Sequence, residues 1–193
     1  EDTWGWMLAV DFFFAGMGGG MLLISGLLDI VLGIENISVL AAILAPIFIS
    51  LGAFLLILEL GRPMQAWRVF VNPKAILTFG AWFMLLAIGL GILYASFFFD
   101  IFTWAEWQLI RKIIAVASGI CGLIVAVYPG FLLGQHKARP FWTGPGMIML
   151  FLLSSLITAA AAHLSASLVV PPESTPGMTN LRWLAGVLLA IQL

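Results

Sequence analysis

A chain of 193 residues that is 63% hydrophobic and only 9% charged lacks the polar side chains needed to clothe a soluble globule, and its mean hydropathy of +1.15 is that of an integral membrane protein. A net charge of −1 gives no ground for nucleic acid or a polybasic lipid switch as partner. The single cysteine, Cys121, lies in an apolar segment and excludes an internal disulfide and any thiolate-held cluster within the chain, so an iron–sulfur centre would belong to another subunit.

The first apolar run, residues 6–32, opens with Trp4 and Trp6, which mark a membrane–water interface. It is too long for the core of a signal peptide and has no basic flank before it. Asp11 lies five residues beyond Trp6, roughly 7 Å deeper at the helical rise. On a helix Asp11, Ala15, Gly18 and Leu22 form one stripe of mostly small residues, so the acid is expected to face protein. A carboxylate at that depth costs about 2.5 kcal/mol or more unless it is paired, hydrated or neutralised. No basic residue precedes Arg62, which makes function the leading reading of Asp11 and a structural pairing its alternative. The glycines Gly16, Gly18, Gly19 and Gly20 read first as helix packing.

Asp29 and Glu35 flank a turn before the second span, 37–58, which contains Pro46. The stretch from Glu59 to Lys74 is the most polar of the chain and reads as a structured loop, with Glu59 and Arg62 as a structural pair. A third span covers 75–98. Asp100, Glu106, Arg111 and Lys112 form the next polar break, with Trp104 and Trp107 as belt residues. The fourth span is expected over 113–133 and the fifth over 142–168, separated by a short basic loop from Gln135 to Trp142. Pro-rich residues 170–180 precede the start of a sixth. The expected fold is therefore all-α, a polytopic transmembrane bundle in one domain over residues 1–193 with no soluble domain. The opening on Glu1 and the short final run read as an incomplete chain.

Alternation puts the N-terminus, the 59–74 loop and the 135–142 loop on one rim, A, and the other turns on rim B. Rim A carries Arg62, Arg68, Lys74, Lys137 and Arg139 against Arg111, Lys112 and Arg182 on rim B, so the positive-inside rule favours a cytoplasmic rim A. Asp11, Glu59, Arg62, Arg68, Tyr128, His136 and Arg139 come near rim A from different spans, with Trp6 at its edge. An acid, a phenol and basic groups under a hydrophobic roof suit a lipophilic molecule with two polar ends, of which a quinone is the commonest redox example. The ordinary alternative is that polar groups and aromatics gather at any rim. Tyr128 in particular reads first as a belt tyrosine, off the small-residue face of Gly119, Gly122, Ala126 and Gly130, although Pro129 could turn it inward. His136 at rim A and His163 towards rim B stand too far apart in depth to share one haem, so no haem and no metal site is expected.

The motifs Trp4-Gly-Trp, Glu59-Leu-Gly-Arg-Pro, Phe70-Val-Asn-Pro with Gly80-Ala-Trp, and Tyr128-Pro-Gly-Phe-Leu-Leu followed by Pro140-Phe-Trp resemble the haem-free NrfD/PsrC-type membrane subunits of polysulfide reductase and its relatives. That resemblance implies eight or more helices in the prokaryotic plasma membrane, a four-cluster iron–sulfur partner subunit, often a molybdopterin subunit beside it, and electron exchange with menaquinone at the cluster-facing rim, which in the family is often outside the cell. It implies Asp11 as a polar quinone partner and Tyr128 as a phenolic contact, while Leu8 stands where a second polar group is expected and Glu59 replaces the commoner aspartate of that loop. The expected function is the quinone-reactive membrane subunit of a respiratory oxidoreductase, not active alone, with Arg62, Arg68, Lys137 and Arg139 docking the partner. The competing reading is a proton-coupled transport or proton-conducting subunit using Asp11.

Overall fold

The computed structural model describes residues 6–59, 76–134, 145–174 and 176–192. Its helices are α1 Trp6–Val31, α2 Val39–Glu59, α3 Ile76–Ser96, α4 Gln108–Gly134, α5 Pro145–Val169 and α6 Pro176–Gln192, with one 3-10 turn, Ile34–Asn36, between α1 and α2. No strand occurs among the described residues. Helices α1 to α5 are each long and apolar enough to cross a membrane.

The expected spans reappear, with one correction. Helix α4 begins at Gln108, not Ile113, because Arg111 and Lys112 do not break it. Arg111 lies within the first turns of α4, buried, where its charge is met by a carboxylate of α1. Lys112 stays exposed on the same turn, and the buried Arg111 is paired, so the two charges do not end the helix.

Helix α1 sits in the middle, packed on α2, α4 and α5, while α3 leans on α2 and α4, and α6 leans on α5. The run Gly18-Gly19-Gly20 explains how one helix can have three close neighbours. Successive helical residues turn by about 100°, so three in a row point at three different partners. A Cβ on Gly18 would stand 2.7 Å from the Ala45 carbonyl oxygen of α2, one on Gly19 2.5 Å from the Gly122 oxygen of α4, and one on Gly20 2.7 Å from the Ser155 oxygen of α5. Each missing side chain lets a neighbouring backbone come to contact, which in lipid replaces hydrophobic collapse as the source of helix association. The packing reading of this glycine cluster holds.

At rim B the turns are tied to one another. Ser38 Oγ donates to the Val170 carbonyl at 2.6 Å, and the Ser174 amide donates to the Glu35 carbonyl at 3.0 Å. Asn36 Oδ1 accepts from the Ser174 hydroxyl and, at 3.1 Å, from the Gly177 amide in the first turn of α6. That side chain satisfies one of the amides a helix start leaves unpaired and fixes where α6 begins.

Candidate functional site

Asp11 is fully buried, as its stripe predicts, and Ala15, Gly18 and Leu22 are buried with it. Its carboxyl reaches α2 at Gly52, where a Cβ would stand 2.9 Å from Asp11 Oδ1. Glycine at that point leaves room for the acid between two helices.

Tyr128 is also inside, only 2% exposed, which overturns its reading as a belt tyrosine. The reason lies on another helix. Gly80 of α3 has no side chain, and a Cβ there would stand 2.5 Å from Tyr128 Cε2 and 2.9 Å from Cζ, so the ring occupies the volume Gly80 vacates. The phenolic oxygen has no hydrogen-bond partner among the described residues, although it is buried. A buried hydroxyl in that condition costs free energy until something accepts from it or donates to it. Asp11 is near enough to act electrostatically on the phenol. Phe12, next to Asp11 in sequence, meets the Tyr128 ring edge-on with centroids 6.2 Å apart, and meets Phe151 of α5 edge-on at 5.9 Å. Beyond Phe12 a cleft of about 380 Å³ opens between α1 and α5, with Leu8, Ala9, Leu133 and Ser155 in its walls.

The acid of the first span and the phenol of the fourth are thus brought together, and two glycines that do no chemistry make this possible. Trp6 lies at the start of α1, 69% exposed, as an interfacial indole does, and is not gathered into the buried pair. His136, Arg62, Arg68, Lys137 and Arg139, with the Glu59 to Lys74 loop, lie outside the residues whose side chains are described.

Sequence reasoning missed a second buried polar cluster, towards rim B. Asp29, read from sequence as flanking a turn, is fully buried inside α1. Its Oδ1 lies 3.2 Å from an Arg111 guanidinium nitrogen of α4, and Tyr94 of α3 donates to its Oδ2 at 3.1 Å. The signal was available: alternation puts the end of α1, the end of α3 and the start of α4 on the same rim, one acid facing one base. Deeper in the bundle His163 of α5 is fully buried, its Nε2 3.1 Å from the Met21 carbonyl and 3.3 Å from Ser25 Oγ, both on α1. A carbonyl can only accept, so Nε2 carries a proton. No cluster of three or more His, Cys, Asp or Glu side chains with metal-holding geometry occurs among the described residues.

This arrangement defines a polytopic helical membrane protein whose interior holds an acid and a phenol beneath one rim and an ion-paired cluster beneath the other. The chain belongs to the polysulphide reductase, NrfD family, whose model matches residues 2–193. It is similar to the C subunit of polysulfide reductase from Wolinella succinogenes, 26% identical over 204 residues that cover 96% of this chain and 64% of that protein. It is also similar to Protein NrfD of Escherichia coli, 23% identical over 202 residues that cover 92% of this chain and 63% of that one. The chain spans a little under two thirds of the length of these curated relatives.

Proposed function

We propose that the chain is the quinone-reactive membrane subunit of a respiratory oxidoreductase complex, exchanging electrons between menaquinone or a similar quinone and an iron–sulfur partner subunit at rim A. Family membership supports the place in a reductase complex. The observation that carries the quinone reading is the burial of Asp11 beside Tyr128, held there by Gly52 and Gly80. The Tyr128 hydroxyl, without a hydrogen-bond partner among the described residues, suits a quinone oxygen. A quinol that becomes a quinone gives up two electrons and two protons. The electrons would pass to the partner's cluster, the Asp11 carboxylate would take one proton from the nearer quinol oxygen and water at rim A the other, with both returned in the reverse direction. The iron–sulfur clusters, and molybdopterin where a third subunit carries it, belong to partners docked on Arg62, Arg68, Lys137 and Arg139.

The second reading, a proton-conducting subunit, draws on the buried polar groups Asp11, Ser25 and Asp29 along α1 with His163 beside them. Extraction and quantification of quinone from the purified native complex separates the two. About one quinone per complex with quinol-driven reduction of the partner's cluster is expected, and a complex that holds no quinone and oxidises no quinol defeats the proposal.

A further inference from the structure

The buried pair has sides, and they are not alike. Towards α2 the Asp11 carboxyl is already in contact at Gly52, and towards α3 the Tyr128 ring fills the space at Gly80, so at both points the pair is closely packed. Towards α5 stands the Phe12 ring, 8% exposed, which meets Tyr128 on one side and lines the cleft of about 380 Å³ on the other.

We infer that the isoprenoid tail of the quinone reaches the buried pair from the bilayer through this cleft between α1 and α5, with Phe12 as the partition that the head of the molecule must pass. The inference rests on the quinone reading above and adds the route and the tail site. The walls suit a hydrocarbon: Leu8, Ala9 and Phe13 of α1 face Phe151 of α5 across the cleft. Thr158, also in the wall, gives its hydroxyl to the Ser154 and Ser155 carbonyls at 2.9 and 3.1 Å, so it asks nothing of an occupant. Leu8, apolar where the resemblance implies a polar group, falls into place as tail wall: the polar contacts to the head come from the Asp11 and Tyr128 side.

A second cleft, about 470 Å³ between α2 and α3, lacks this continuity. Its wall hydroxyls, Ser50 and Ser96, are spent on the Pro46 and Leu93 carbonyls of their own helices. It serves as the internal control.

The test uses the assembled native complex. A quinone with a photoreactive diazirine on its tail is crosslinked and the labelled peptides are mapped, beside a phospholipid with the same group on an acyl chain. Quinone label is expected on Leu8 to Phe13 and on Phe151 to Thr158, and competed away by unlabelled long-tailed quinone. Ala9→Phe and Thr158→Phe narrow the cleft from opposite walls at positions that are exposed or half-buried, where a larger side chain is compatible with folding. Both should lower kcat/KM for a long-tailed quinol at least about tenfold while a tail-less analogue changes less than about twofold. Ile47→Phe, in the second cleft, should change neither. Quinone label on α2 and α3, label in the α1–α5 cleft from the phospholipid alone, or equal loss with both quinols would overturn the tail route while leaving the quinone reading standing. A wild-type complex that binds and oxidises neither quinol overturns the quinone reading, and the tail route with it.

Discussion

Asp11 and Asp29 lie five helical turns apart on the same side of α1, both fully buried, yet their neighbours differ in kind. Asp29 is ion-paired with a guanidinium and accepts a hydrogen bond from a phenol, the surroundings of a structural carboxylate. Asp11 meets α2 at a glycine, and the buried Tyr128 hydroxyl near it has no hydrogen-bond partner among the described residues, so a polar guest would find a group to bind there. Asp11→Asn preserves shape and cannot accept a proton, so quinol turnover of the assembled complex should fall about 10²–10⁴-fold while a quinone-site inhibitor still binds. Turnover close to wild type in that variant would defeat the catalytic role, as would loss of assembly in Asp11→Leu with normal turnover in Asp11→Asn. Gly80→Ala makes a separate forecast. The added methyl lands within the Tyr128 ring, which must move, so quinol KM should rise with the complex still assembled. An unchanged KM and kcat would mean that the ring position does not matter to the substrate.

At the scale of elements, α1 is held by contacts of two sorts: backbone approach at glycines and polar ties at buried side chains. Replacing Gly19 by leucine places a large side chain against the α4 backbone at Gly122, and subunit yield and thermal stability should both drop, whereas the same change at Gly89 of α3, where nothing lies within 4 Å, should be tolerated. The Asp29 cluster predicts a non-additive pattern. Arg111→Leu leaves a buried carboxylate without its counter-charge, a loss of about 3–5 kcal/mol by analogy with other buried pairs. The double variant Asp29→Leu with Arg111→Leu removes both charges and should recover much of that loss, read as the melting temperature of the purified complex. Strictly additive losses would show that the ion pair is not what joins α1 to α4 at rim B.

For the molecule as a whole, the proposed function has two things meet at rim A, the buried pair from within the bilayer and the partner subunit from outside it. Replacing Arg62, Arg68, Lys137 and Arg139 by glutamine should slow association with the iron–sulfur subunit and make the wild-type dependence on ionic strength shallower, since charges of this sort act mainly on encounter. A complex whose partner covers rim B and leaves these loops in water would contradict the docking assignment. The isolated subunit is expected to show no b-type haem band in a reduced-minus-oxidised spectrum. His163 supports this, because its Nε2 is already committed to a backbone carbonyl of α1, and a stoichiometric haem band would reject it.

The sequence by itself determined the class, the spans and the inward face of Asp11. These follow from local quantities: hydropathy over a helix length, and a period of 3.6 residues that puts Ala15, Gly18 and Leu22 on the acid's side. It also carried the motifs of the family to which the chain belongs. What only the tertiary structure decided were the properties set by a residue on another helix. Tyr128 is a core residue because Gly80, forty-eight positions earlier, makes room for it. Arg111 extends α4 because Asp29 meets its charge. The Phe12 cleft is bounded by side chains of three helices, α1, α4 and α5. A helical period tells which way a side chain points along its own axis, and contacts between axes depend on which volumes the neighbouring helices leave empty.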